Sequence, residues 1–121
     1  MDFTSNKPIY RQIIDYSFGQ ILTGVWKAGE RVPSVRELSV LLSVNSHTVL
    51  KAFEFLQAEG IIVPRRGMGF YLTPDALEHV NQVRRKEFFD TTLQELFREM
   101  RLLDISIEEV TDRYNAQKES D

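Results

Sequence analysis

A mainly α-helical fold with one small β-hairpin is predicted for this 121-residue chain by three observations. Apolar residues recur at spacings of three and four along most of its length. Two short segments, Ser34-Val35-Arg36-Glu37 and Ser106-Ile107-Glu108-Glu109, carry the Ser-x-x-Glu pattern that opens a helix. Two apolar runs flank Arg65-Arg66-Gly67-Met68-Gly69, the pattern of a hairpin with a glycine-rich turn. The implied order is helix, loop, short helix, tight turn, longer helix, hairpin: a winged helix-turn-helix followed by a two-helix C-terminal tail.

The elements follow in turn. Pro8 opens a helix whose face is Tyr10, Ile13, Ile14, Phe18 and Ile21, and Gly24 ends it. The loop from Trp26 to Pro33 contains Gly29 and Pro33, both breakers. The first capping box starts a short helix with Val35, Leu38, Leu41 and Leu42 facing inward. Asn45 is an N-cap for the next helix, whose apolar face is Val49, Ala52, Phe53 and Leu56, and Gly60 stands at its end. Ile61–Pro64 and Phe70–Thr73 are the two strands, with Arg65–Gly69 as the turn. Pro74-Asp75 marks a boundary, so the expected domains are 1–73 and 74–121. A single long helix runs on to Leu103, Asp104-Ile105 breaks it, and a last helix carries Ile107, Val110 and Tyr114 before a frayed, polar end from Gln117.

Composition excludes several classes of function. The chain has no cysteine, so neither disulfides nor thiolate metal sites are available. The start, MDFTSNKPIY, lacks a basic stretch followed by an apolar run, and no apolar run reaches the ~18 residues of a membrane span; a cytoplasmic protein is expected. No nucleophile–base pair, phosphate loop or paired carboxylates point to an enzyme. His47 and His79 are isolated, which is a poor metal signal, and no cofactor is expected. The net charge of −3 argues at first against nucleic acid. Its distribution is uneven: residues 1–73 hold eight basic and six acidic side chains, and residues 74–121 hold seven and twelve. A local basic surface is what DNA binding requires.

Opposite the apolar arc of the second helix of the helix-turn-helix lie His47, Lys51 and Glu54, with Ser46 and Thr48 on the flanks. These residue types reach phosphates and base edges, and the helix N-terminus adds free N–H donors. Any surface helix has such a face, so periodicity leaves two readings open: DNA contact or plain solvation. The hairpin favours the first. Arg65 and Arg66 supply charge beside Gly67 and Gly69, where the backbone can approach a phosphate closely.

Several motifs in order make the chain resemble the DNA-binding domain of GntR-family regulators over about residues 8–73. They are Pro8-Ile-Tyr-Arg-Gln-Ile, Ala28-Gly-Glu-Arg-Val-Pro-Ser-Val-Arg-Glu-Leu38, Val44-Asn-Ser-His-Thr-Val49, Glu59-Gly-Ile-Ile62 and Arg66-Gly-Met-Gly-Phe70. The resemblance implies a homodimeric transcription factor, modulated by a small-molecule effector, on a palindromic double-stranded operator. The arginine of the family's PS-x-R-E-L motif matches Arg36, the start of its recognition helix matches Ser46, His47 and Thr48, and its wing-tip glycine matches Gly67. Ser34, Asn45, Lys51, Arg65 and Arg66 complete the expected DNA-binding set. Ser46 and Leu50 depart from the pattern, since many members carry arginine at both; Lys51 follows one position later.

Only 48 residues follow Thr73, which resembles the short tail of the YtrA-like subfamily, whose members dimerise through it and often repress transporter operons. Phe89, Leu93, Leu96, Met100 and Leu103 form the stripe expected to face a second copy. So small a tail leaves little room for a pocket of even ~300 Å³, which places any effector at the dimer interface. Arg84-Arg85-Lys86 has two readings, pairing with tail carboxylates across the dimer or contact with DNA, of which the first is preferred. The competing reading is a winged helix used for protein–protein contact, supported by Leu50 and Phe55 on the exposed side and opposed by the basic wing.

Overall fold

The computed structural model describes residues 6–120, Ser120 by its backbone alone. The first five residues and Asp121 lie outside the described residues. Two compact units are present, dividing between Val83 and Arg84 rather than at the 73/74 boundary read from the sequence. Ala76 and Val80, beyond that expected boundary, are buried in the core of the first unit.

In the first unit, α1 (Ile9–Leu22) begins at Pro8, whose φ of −54° is preset for a helix start. α2 (Val35–Leu42) begins at a complete capping box: the Ser34 hydroxyl accepts from the Glu37 N–H at 3.0 Å, and the Glu37 carboxylate accepts from the Ser34 N–H at 3.3 Å. Leu38 and Leu42 are buried as expected. Leu41 is not: it is 63% exposed. At ~100° per residue Leu41 lies about 60° from Leu38 on the side away from Leu42, and an eight-residue helix covers only one narrow face.

Ser43, in the left-handed conformation (φ 55°, ψ 48°), turns the chain, and the Asn45 side chain accepts from the His47 N–H at 2.8 Å to open α3 (Ser46–Ala58). Val49, Ala52, Phe53 and Leu56 are all at most 1% exposed. They meet Ile13 and Ile14 of α1 and Leu38 of α2 in one core, and Phe53 stacks edge-to-face on Phe70 with ring centroids 5.3 Å apart. Gly60, at φ +74°, ends the helix as expected.

The hairpin is β1 (Ile62–Arg65) paired antiparallel with β2 (Gly69–Leu72), in register Ile62↔Leu72 through Arg65↔Gly69. Both strands sit one residue further into the expected turn. Arg65 and Gly69 belong to the ladder, and the turn proper is Arg66-Gly67-Met68, closed by the Met68 N–H on the Arg65 carbonyl at 2.9 Å. The loop before α2 joins this sheet through Arg31, bridged to Tyr71.

The long helix expected up to Leu103 is α4 (Ala76–Glu87), a π-helical turn (Phe88–Thr92) and α5 (Leu93–Leu103). The π-turn falls on Phe-Phe-Asp-Thr-Thr, all weak helix formers. Asp104 (φ 55°) ends α5, and Ser106 caps α6 (Ile107–Ser120) by accepting from the Glu109 N–H at 3.1 Å. The end expected to fray from Gln117 stays helical through Ser120. Its Gln-Lys-Glu run consists of good helix formers, and Lys118 suits the negative end of the helix dipole.

The Leu38–Leu41 contrast is directly measurable. Leu38→Ala should lower unfolding stability by about 2–5 kcal/mol. Leu41→Ala should stay within about 0.5 kcal/mol of wild type by urea denaturation. Equal losses would contradict the assigned faces.

Candidate nucleic-acid interface

The first turn of α3 stands clear of the core. Asn45, Ser46, His47 and Lys51 are exposed and Thr48 is half-buried, on the side opposite the buried arc. Because Val49, Ala52, Phe53 and Leu56 are all buried, the orientation of this face is set by packing rather than by propensity. Leu50, 40% exposed, sits beside it. Asn45 holds the N–H groups of this turn, its side chain taking that of His47 and its carbonyl those of Thr48 and Val49, so the positive end of the helix dipole stands at a capped start.

The structure modifies the basic set. The Lys51 ammonium lies 4.0 Å from the centroid of the Tyr10 ring, so it is held toward the start of α1. The Arg65 guanidinium lies 4.1 Å from the centroid of Tyr71, over the outer face of the hairpin. Arg66 sits in the turn itself, exposed. Arg36 is exposed in the first turn of α2, beside the capping Ser34. Among the described residues, neither Arg36 nor Arg66 forms an ion pair or a ring contact. The wing tip has Gly67 at φ +72° in the middle of the Arg66-Gly67-Met68 turn, a position strained for any other residue.

Sequence reasoning missed Tyr10, Tyr71 and Arg31. The two tyrosines carry cations that the sequence shows only as charges. Arg31 donates to the Glu37 carboxylate at 2.9 Å. These contacts join separated segments, and only the strand alternation placing Tyr71 opposite Phe70 and Leu72 could have signalled one of them. Hydrogen bonding from Ser34, helped by the Arg31 charge, holds the Glu37 carboxyl below its ordinary value of 4.5. His79 is engaged by Asp75 at 3.0 Å, and this bond first of all lowers the Asp75 carboxyl.

In the second unit, Met100 is buried among the described residues while Leu93 is half-buried, and Phe89, Leu96 and Leu103 are 48%, 43% and 64% exposed. Phe88, Leu102, Ile107 and Tyr114 are exposed as well. The basic cluster is partly engaged by the π-helical turn that follows it: Lys86 pairs with Asp90, and Arg85 lies over Phe89. Where little room for a pocket is expected, an open recess of ≈ 380 Å³ lies at the end of α5. It is lined by Phe97, Met100, Arg101, Asp104 and Ile105, because the left-handed Asp104 folds the chain sharply there.

A winged helix-turn-helix with an amphipathic helical tail is the architecture of a bacterial transcriptional regulator. The model of the bacterial regulatory proteins of the gntR family matches residues 9–72, more than half of the chain, which belongs to that family. The chain is 43% identical over 76 residues to the HTH-type transcriptional repressor YtrA of Bacillus subtilis; this covers 63% of the chain and 58% of that repressor. It is 32% identical over 108 residues to the HTH-type transcriptional regulator YhcF of the same organism, covering 89% and 88% of the two chains. The structure of a GntR family transcriptional regulator from Listeria monocytogenes superposes with a TM-score of 0.74 at 34% identity, covering 94% of this chain and 98% of that one. The match to YtrA agrees with the subfamily resemblance read from the short tail.

The capping box has a pH signature. A carboxyl lowered on folding contributes stability that is present above its ordinary 4.5 and lost as pH falls through its folded value. The stability difference between wild type and Glu37→Gln should therefore be largest near neutrality and shrink in acid. A difference that is constant from neutral pH into the acid range would contradict the assignment.

Proposed function

We propose that this chain is a cytoplasmic DNA-binding repressor that acts as a homodimer on a palindromic operator. In this reading, residues 1–73, whose core also takes in Ala76 and Val80, bind the DNA and the tail of residues 74–121 dimerises through its part beyond that core, with an effector modulating the pair. The observation that carries it is the first turn of α3: Ser46 and His47 stand exposed behind a capping Asn45, while the opposite face of the same helix is wholly buried. Such a helix can enter a major groove without disturbing the core. Arg36 and Arg66 flank it on separate elements, free to meet phosphates or base edges. Lys51 and Arg65 contribute charge from their tyrosine perches.

The tail supports pairing. Its exposed Phe89, Leu96 and Leu103 form an apolar stripe with Leu93, and such a face is stable in water when a second copy covers it. Two recognition helices would then stand ~34 Å apart, one turn of DNA. The relationship to YtrA, which carries the name of a repressor, supports repression; control of a transporter-type operon is proposed with it, from the subfamily resemblance of the short tail.

A second reading rests on Val40 and Leu41, 73% and 63% exposed on α2 beside Arg36, which would suit a protein partner instead of DNA. Salt distinguishes the two. Affinity for a mixed-sequence duplex should fall steeply as salt rises; a flat response favours the protein partner. Arg36→Ala should weaken binding to duplex DNA by about fivefold or more and leave the dimer intact. Leu93→Asp with Leu96→Asp should yield monomers in sedimentation, and persistent dimers would refute the tail assignment.

A further inference from the structure

One side chain outside the expected site ties two of its parts together. The segment from Gly29 to Val32 runs alongside β2: the Gly29 N–H donates to the Leu72 carbonyl at 2.9 Å, the Leu72 N–H to Glu30 at 2.9 Å, and the Val32 N–H to Phe70 at 3.0 Å. Arg31 is thereby opposite Tyr71. By strand alternation it shares the outer face of the wing with Tyr71 and Gly69, while Leu72 turns inward and is 2% exposed.

From that place the Arg31 guanidinium reaches both ways. Its Nη2 donates to Glu37 Oε1 at 2.9 Å, and that carboxylate is already held by the Ser34 N–H. Its Nε lies over Gly69: a Cβ built there would stand 3.2 Å from Nε and 3.9 Å from Cζ. Gly69, at φ +90°, thus leaves open the seat on which the planar guanidinium rests.

We propose that Arg31 is a positioning residue that fixes the base of the wing against the first turn of α2, so that Arg36 and Arg66 meet one stretch of DNA at a set spacing. The proposal rests on the DNA-binding reading above. The pair is half exposed on both sides, with side chains 49% and 57% accessible, so it adds little to folding stability. Its consequence is geometric: to the backbone hydrogen bonds that already tie β2 to residues 29–32 it adds a side-chain tie from the wing base to the start of α2. The nearest alternative is that Arg31 contacts a phosphate itself, and the two roles respond oppositely to the same changes. Lysine keeps the charge but not the flat fork. Glu37→Gln keeps an acceptor for the capping box, weakens the hold on Arg31 and removes a negative charge near the DNA.

The test measures affinity for a duplex enriched from a random pool by the wild-type protein, at a temperature where circular dichroism shows every variant folded. Arg31→Lys and Glu37→Gln should each weaken binding by roughly three- to tenfold, and the double variant should be no worse than the poorer single one. Arg31→Lys binding as wild type, with Glu37→Gln equal or tighter, would overturn the positioning role in favour of a phosphate contact. Arg66→Ala serves as the separate control. If it leaves affinity unchanged, the wing itself does not bind DNA; if it weakens binding while Arg31→Lys and Glu37→Gln do not, the positioning role alone falls.

Discussion

The three-residue turn Ser43-Val44-Asn45 is the constraint on which the rest of the first unit depends. It leaves α2 through a left-handed serine and enters α3 through an asparagine cap, so the two helices have almost no freedom in how they cross. The left-handed conformation costs a non-glycine residue about 1–2 kcal/mol. Packing maintains it: Leu38 and Leu42 on one side and Val49 and Phe53 on the other are buried together, and slackening the turn would open that seam. Once the crossing is set, the apolar arc of α3 must face α1 and its first polar turn must face away. The exposed Ser46 and His47 are thus a consequence of how Val49, Ala52, Phe53 and Leu56 are buried.

The wing depends on the same core at one remove. Phe70 stacks on Phe53, which anchors β2 to the middle of α3. The segment before α2 adds hydrogen bonds to β2, and the Ser34–Glu37 capping box begins two residues after that segment ends. Helix start, wing base and recognition helix are therefore mechanically linked through short, well-packed connections. A unit built this way suits recognition of a fixed spacing, since a loose wing would spend binding energy on ordering itself.

Much of this was legible in the sequence, because the signals were local. The capping box at Ser34, the cap at Asn45, the glycine after α3 and the inward face of α3 all depend on residues within one or two turns of each other. What the sequence hid was non-local or marginal. Leu41 looked inward because leucine at that spacing usually is, but a short helix buries a narrower face than its apolar residues occupy. The π-helical turn at Phe88–Thr92 is a small departure that period counting does not register. The partners of Lys51, Arg65 and Arg31 come from other elements, so their charges were visible and their tethers were not. In the second unit Met100, one of the five residues of the expected stripe, is turned inward, and the other four are not buried.

The proposed pairing of two such units on DNA has one direct test. Duplexes bound by the purified protein are selected from a random pool and sequenced. The account predicts inverted repeats whose half-sites are about 10 base pairs apart, centre to centre, as two recognition helices on one face of the duplex require. Enrichment of a single asymmetric site, or no enrichment at all, would contradict it.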